Sequence, residues 1–446
     1  MKIDQSGWFT SDPSLKLRIS KLNKKFNQIF STQATQIVIA PGRAEILGNH
    51  TDYNGGRTLS ANIRNNLVVV GSKRTDSKVH LLSFSQTDEK EIFDINHFDK
   101  SVNLIWKNYI KGIIREFKSK FGSFDHGFNA IIDSTIPMGG GVSSSAALEL
   151  AFVHLFEALY GHEIEPIVRV QMAKSAENNY VGSPCGYLDQ GTIELSNASW
   201  LLIDYQSDVK TNKPFTFSEI QNHLTDITLV IGYDPSTKRQ LTEGKYAVRR
   251  ACCESMVRLW KEVTGKKIKN ICDVSYQEFE AQKTKLWDVL NRKITRGLYK
   301  DLITNAGWKN GPERQASTML EWASHPILEN ERISQAIAAI NKKNYLKFGQ
   351  LFSSSGRSGI YLFDLAEGVH ELEWVYNLVE QNKKRWGVFG IRNMGGGFNA
   401  TTLALVSADK VAHYKKELNN VYHKEFGRDY LFIDFTPLPN VSVFQI

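Results

Sequence analysis

Apolar positions recur along the chain in two rhythms, one helical and one extended. Over residues 14–31, Leu15, Leu17, Ile19, Leu22, Phe26 and Phe30 fall near helical spacing. Gln36 to Ala40 reads as a short apolar strand that Pro41-Gly42 ends. Leu67 to Ser72 and Val79 to Phe84 predict further strands, and Ile105 to Phe121 a helix. An extended run from Phe128 to Ile136 enters a glycine turn. Beyond it Ala147, Leu150, Ala151, Phe156 and Leu159 repeat helically until Gly161 stops them. Pro166 to Tyr180 reads as a helix and Trp200 to Asp204 as a strand. A polar stretch over 206–226 breaks the pattern, and Thr228 to Gly232 starts a new apolar strand. In Tyr246 to Val263, Val248, Cys252, Met256 and Trp260 stand at i+4 steps, the mark of one buried face, with Gly265 closing the helix. Residues 266–330 are helical and charged. Val388 to Arg392 and Thr401 to Val406 read as strands flanking Met394-Gly395-Gly396-Gly397-Phe398. Strands and helices mixed without a regular βαβ rhythm predict an α+β fold. The polar stretch sets a domain boundary, giving units of 1–225 and 226–446.

Composition narrows the classes. At 446 residues the chain is long enough for two or three packed domains. Its formal charge of +8 is scattered, and basic clusters such as Lys266-Lys267 and Lys383-Lys384-Arg385 are short. Such a field favours small anions such as ATP and does not mark a nucleic-acid surface. Cys185, Cys252, Cys253 and Cys272 form neither C-x-x-C nor a zinc-finger spacing, so buried thiols are expected. Met1 to Ser6 is not the start of a signal peptide, and no apolar run approaches the ~18 residues of a membrane span. A cytoplasmic protein is expected, with neither membrane nor nucleic acid as partner.

The densest chemical signal is Pro137-Met138-Gly139-Gly140-Gly141-Val142-Ser143-Ser144-Ser145-Ala146-Ala147, read as strand, glycine turn and serine-capped helix. Glycines let backbone N–H groups approach a ligand, and a helix start adds unpaired donors and the positive end of the dipole. Together they suit a phosphate, with serine hydroxyls for hydrogen bonds or a magnesium ion. Read alone, the stretch also fits a flexible turn followed by helix caps. It is not a Walker A loop, which ends in Gly-Lys-Ser/Thr, and it lacks the G-x-G-x-x-G spacing of a dinucleotide fingerprint. A second stretch, Pro41 to Gly56, packs Arg43, Glu45, Asn49, His50, Asp52 and Tyr53 between glycines. Such groups are rarely buried unpaired, so it reads as a surface, either a solvated turn or a polyol site. In Ala176 to Gln190, Glu177 and Asp189 flank a Pro/Gly loop. They fit ordinary surface acids, or one holding magnesium while the other acts as base. Ser236 with Tyr246 to Arg250, and the turn Gly395 to Gly397, are weaker signals.

In this order and spacing the segments resemble the GHMP kinase superfamily and, within it, the galactokinase family. Arg43 to Gly56 is similar to the family's G-R-V-N-L-I-G-E-H-T-D-Y-N-G-G signature. Pro137 to Ala147 is similar to P-x-G-x-G-L-S-S-S-A-A, and Val181 to Gln190 to V-G-x-x-C-G-x-M-D-Q. Met394 to Phe398 resembles the third superfamily motif, and Trp106 to Tyr109 and Tyr246 to Arg250 also fit. The resemblance runs from about residue 24 to about 435. It implies a ribosomal S5 domain 2-like N-terminal domain, a ferredoxin-like C-terminal domain and a site between them. It further implies an ATP-dependent, Mg²⁺-using sugar 1-kinase making galactose 1-phosphate from D-galactose; a monomer is the expectation for its assembly. By position, Asp189 would take or orient the anomeric hydroxyl proton, and Arg43 would stabilise charge on the moving phosphoryl group. Gly139, Gly140, Gly141, Ser143, Ser144 and Ser145 would cradle phosphates, and Ser145 and Glu177 would hold Mg²⁺. His50, Asp52, Gly186 and Tyr246 would bind sugar hydroxyls.

Three departures stand out. The family's Glu before the His is Asn49 here, and its Asn four positions earlier is Glu45; we expect this exchanged pair still to contact the sugar, with altered preference. Asn399-Ala400 replaces the glycines usual after Phe398. Ser353 to Ser358 stands where a Ser-His pair is usual. The alternatives are an anomeric kinase for arabinose, N-acetylgalactosamine or a uronic acid, and a sensor that binds sugar and ATP without turnover.

Overall fold

The apolar run that begins at Gln36 does not stop at Pro41-Gly42. In the computed structural model, which describes residues 7–8, 13–85, 89–102, 105–206, 213–221, 224–237 and 244–446, it continues as β1 (Gln36–Leu47). It pairs antiparallel with β2 (Arg57–Lys73), and the register shifts between Pro41 and Arg43 and again between Glu45 and Leu47. Proline has no N–H to give a ladder and is tolerated at such irregularities, which also twist a strand and re-aim its side chains. The proline-glycine pair therefore bends the strand at the point where its polar residues begin.

The later strands are β3 (Lys78–Ser83), β4 (Glu89–Asp94), β5 (Phe128–Ser134), β6 (Trp200–Asp204), β7 (Thr216–Ile220), β8 (Ile227–Tyr233), β9 (Val388–Asn393), β10 (Thr402–Ser407), β11 (Leu431–Asp434) and β12 (Ser442–Gln445). An eight-stranded sheet has the order β12-β1-β2-β5-β3-β4, with β6 on β2 and β7 on β6. Its β3–β5 pair is parallel and its other pairs are antiparallel. A four-stranded antiparallel sheet has the order β11-β8-β10-β9. The mixture is α+β, as the missing βαβ rhythm predicted.

The helix Ser144–Tyr160 is buried on almost every side, from Ala146 to Val153 and over Leu155 to Glu157, and it lies against β1 and β2. Its core takes in Val38 and Ile46 of β1, Phe152 and Phe156 of the helix, and Ile231 and Leu405 of the second sheet. The two sheets thus share one hydrophobic core, in which each large side chain contributes roughly 1.5–3 kcal/mol. Residues 266–330 include the helices Tyr276–Thr295 and the start of Pro312–Asn341, which close a second core over Cys252, Met256 and Trp260. All four cysteines are free thiols, three of them buried. No helix among the described residues is long and apolar enough to cross a membrane.

Several readings change. The helix from Pro166 ends at Ser175 and passes into a π-helical turn, Ala176–Val181. β4, β7, β11 and β12 are additional to the strands read from the pattern; β7 is exposed along nearly its whole length. The Met1 to Ser6 reading, and residues 207–212 and 222–223 of the polar stretch, lie outside the described residues.

Candidate active site

A cleft with about 590 Å³ of free space, part of it continuous with solvent, opens beyond the polar end of β1. It gathers Arg43, Glu45, Asn49, His50, Asp52, Ser145, Glu177, Gly186, Asp189 and Tyr246, together with Gly395 and Gly396. Gly139 and Gly140 line an adjoining hollow with Tyr233, Asp234 and Thr237. Ser236 donates to Asp234 from both its N–H and its Oγ.

At the centre stands an ion pair. Arg43 donates to Asp189 Oδ1 from Nε at 2.9 Å and from Nη2 at 2.7 Å, and Nη1 donates to Gly141 O at 2.5 Å. Both contacts to the carboxylate fall on one oxygen. The arginine side chain is 4% exposed and the aspartate 28%, so the pair turns its carboxylate toward the cleft. Asp189 occupies the first turn of the helix Leu188–Leu195, where the dipole favours an anion. Asp52 lies beside it with its pKa raised to about 6, by burial first and then by the charge of Asp189. A Cβ on Gly186 would stand 1.8 Å from Asp52 Oδ2, so only glycine leaves room for that carboxylate.

The expectation that Arg43 to Gly56 is a surface needs correction. Arg43, Glu45, Asn49 and His50 are all nearly fully buried, and burial is tolerable because they are paired. Arg392 Nη2 donates to Glu45 Oε1 at 2.9 Å, and its Nη1 reaches the carbonyls of Glu45 and Ile46. Asn49 Nδ2 donates to Glu45 Oε2 at 3.2 Å and to Gly395 O. Both Glu45 oxygens are therefore engaged by the protein itself. His50, at φ +60°, meets Tyr53 OH through Nδ1 at 2.7 Å, and its ring lies 5.1 Å from that of Tyr246.

Sequence reasoning missed what lies underneath. Glu329 Oε2 accepts the N–H groups of Gly48 and Asn49 at 3.3 and 3.4 Å and the hydroxyl of Ser355 at 2.9 Å. Burial acts to raise the Glu329 pKa, yet Arg332, His325 and Arg392 hold it at about 2. Only a buried acid at helical spacing from apolar neighbours could have flagged it, and 266–330 offered many acids.

The glycine loop alternates: Gly139, Gly141 and Ser143 take φ of +69°, +67° and +61°. Backbone of this kind forms an N–H-lined concavity suited to anions. The predicted serine cap is absent: the helix starts at Ser144, and Ser143, left-handed, makes no side-chain cap. Its buried Oγ has no hydrogen-bond partner among the described residues. Ser145 and Glu149 stand one turn apart on this helix. Gln190 Nε2 bridges Glu149 Oε2 at 3.0 Å and Glu177 Oε2 at 2.8 Å, and burial followed by the Glu177 charge pushes Glu149 well above the usual carboxylate range.

The chain as a whole is similar to known proteins. The family described as "GHMP kinases N terminal domain" matches residues 108–197, and "Galactokinase galactose-binding signature" matches 24–73. A galactokinase of Lactococcus lactis subsp. lactis is 32% identical over 412 residues, covering 92% of each chain. One from Staphylococcus carnosus is 28% identical over 92% of this chain and 95% of its own. The crystal structure of Lactococcus lactis galactokinase complexed with galactose superposes with a TM-score of 0.78 at 28% identity, covering 95% of this chain and 99% of that one. Methanococcus jannaschii mevalonate kinase, at 15% identity and TM-score 0.58 over 91% of this chain and 99% of its own, shares the fold alone.

Proposed function

The chain belongs to the galactokinase family of the GHMP kinase superfamily and is a phosphotransferase with an alcohol acceptor; from that premise we propose that it transfers the γ-phosphoryl group of ATP to the anomeric hydroxyl of D-galactose. The observation that carries this reading is the Arg43–Asp189 pair, tied through Arg43 to the carbonyl of Gly141. One arginine thereby touches both the group facing the acceptor and the loop facing the donor.

Phosphoryl transfer asks a protein chiefly for positioning and electrostatics. Asp189 Oδ1 is held by the guanidinium, and the second carboxylate oxygen is available to orient the C1 hydroxyl and take its proton. Arg43 holds the carboxylate in place and, in a site shielded from water, stabilises charge on the phosphoryl oxygens as they move. His50, Asp52, Tyr246 and the backbone at Gly186 hold the sugar, with Glu45 and Asn49 beneath it. The residue 139–145 cradle orients the phosphates. Two facing buried carboxylates that share one amide donor fit a divalent cation, and Ser145 and Glu177 would hold it. Among the described residues no group of three or more His, Cys, Asp or Glu forms a closed metal cage. Magnesium needs none, since it takes one or two protein ligands and completes its shell with phosphate oxygens and water. When bound, it supplies charge neutralisation on the phosphates. The division into units of 1–225 and 226–446 belongs to the same proposal, with the site where their residues meet.

A second reading, a C1 kinase for another sugar, is favoured by one observation: Asn49 and Glu45 exchange amide and acid at the family's sugar signature. The experiment is ADP release and sugar 1-phosphate formation with Mg-ATP over galactose, arabinose, N-acetylgalactosamine and galacturonic acid, with Asp189→Asn as control. Galactose turnover that disappears in the control supports the main reading. Turnover confined to another sugar moves the assignment, and none on any sugar ends it.

A further inference from the structure

The turn between β9 and β10 departs from the family's usual glycines at Asn399-Ala400, and this departure lies against the phosphate loop. Asn399 Nδ2 donates to Gly139 O at 2.9 Å, and Thr401 Oγ1 donates to Gly140 O at 2.9 Å. Gly141 O, the next carbonyl, takes Arg43 Nη1. Three successive carbonyls are thus tied by three side chains from outside the loop. In a trans peptide the C=O and the following N–H point to opposite sides, so tying one directs the other away. Both turn residues are fully buried. The Thr401 N–H donates to Asn399 Oδ1 at 3.3 Å, which sets the orientation of the amide, and the Ala400 N–H donates to Thr237 Oγ1 at 2.9 Å, which anchors the turn. The loop so held carries a non-glycine residue, Ser143, in left-handed backbone, a conformation that surrounding contacts must impose.

We propose that Asn399 and Thr401 are positioning residues for the phosphoryl donor: Asn399, with the Gly140 N–H that donates to Pro137 O at 3.4 Å, fixes the turn, and Thr401 holds the next peptide so that the Gly141 N–H faces the phosphates. This rests on reading residues 139–145 as the phosphate cradle. Neither residue touches the reacting atoms. On the sugar side the same turn accepts from Asn49 through Gly395 O and meets His50 Nε2 through Gly396 O, contacts that do not involve residues 399 and 401. The nucleotide and sugar sites are therefore separable in their response to substitution.

The test is steady-state kinetics at saturating sugar with ATP varied, together with calorimetric sugar binding in the absence of nucleotide. Asn399→Ala and Thr401→Val are expected to raise KM for ATP about three- to tenfold each, the span of one lost neutral hydrogen bond. Sugar affinity stays at the wild-type value, and Thr401→Ser, which keeps the hydroxyl, retains the wild-type KM. Gly141→Ala, at φ +67° and with its new Cβ 3.2 Å from Asn399 Nδ2, tests the cradle itself. If Gly141→Ala raises KM for ATP while Asn399→Ala and Thr401→Val do not, the positioning role is overturned and the cradle stands. If Gly141→Ala leaves KM for ATP unchanged, the cradle reading and this proposal both fall. Equal loss of sugar and ATP affinity would show a merely structural role and overturn it. Should Asn399→Ala not fold, the Thr401→Val and Thr401→Ser pair decides alone.

Discussion

Asp52 shows how one residue's surroundings set a measurable property. Burial and the neighbouring Asp189 charge raise its pKa from 3.8 to about 6, so it is an anionic acceptor above that pH and neutral below it. As a sugar ligand it should make kcat/KM for the sugar fall as pH drops through about 6. In Asp52→Asn the value should be lower throughout and that limb absent. A limb that persists in the variant sinks the assignment. For stability the sign is opposite: the raised pKa favours the fold fully below pH 3.8, and this contribution is lost as pH rises through about 6. Arg43, Asp52, Gly186 and Asp189 were legible in the sequence because they sit inside short motifs whose chemistry is local. Glu329 and Arg392 were not, since Glu329 acts on a backbone 281 residues away and Arg392 on a carboxylate 347 residues away. The Ser-His departure has a similar resolution: Ser358 Oγ meets His325 Nδ1, from another helix, at 2.8 Å. Burial holds that ring at about pKa 3, hence neutral.

Among elements, the turn Gly48–Asn54 depends on a helix far along the chain. Pro312–Asn341 brings Glu329 under the turn's first two N–H groups, and Arg332 and Arg392 balance its charge. Removing one member of a buried charge network leaves the rest unpaired, which typically costs about 3–5 kcal/mol. Glu329→Gln should therefore lower the urea midpoint with an unchanged slope, and raise the sugar KM more than the ATP KM. Wild-type values for both would show that the network supports neither the fold nor the turn. Helices with one apolar face were readable, as Ile105–Phe121 and Lys245–Thr264 show. β1 was cut short because Pro41-Gly42 signals a break locally, whereas pairing with β2 tolerates it through a bulge. Edge strands such as β7 and β12 lack an apolar pattern because little of them is buried.

At the scale of the whole molecule the cleft joins residues 43 to 396 and lies above a core that both sheets share. Ligands bound there contact distant parts of the chain and stabilise the native state by mass action. Galactose with a non-hydrolysable ATP analogue and Mg²⁺ should raise the melting temperature. Each ligand at about 100 times its Kd adds about 2.7 kcal/mol. Chelation by EDTA should reduce the nucleotide increment and leave the sugar increment intact. A nucleotide increment indifferent to EDTA would remove the cation from the proposed site.

The amino-acid sequence by itself determined the α+β class, the main helices and strands and the glycine loop before the helix that starts at Ser144. These follow from hydrophobic period, turn chemistry and residues adjacent along the chain, all of which are local. Tertiary structure alone decided that the polar signature is buried instead of solvated. It also decided that Arg43 meets Asp189 across 146 residues, that Glu45 is spent on Arg392, and that the turn before β10 grips the glycine loop through Asn399 and Thr401. Whether a charge can be buried depends on which partners the fold brings within about 3 Å, and no local pattern carries that information.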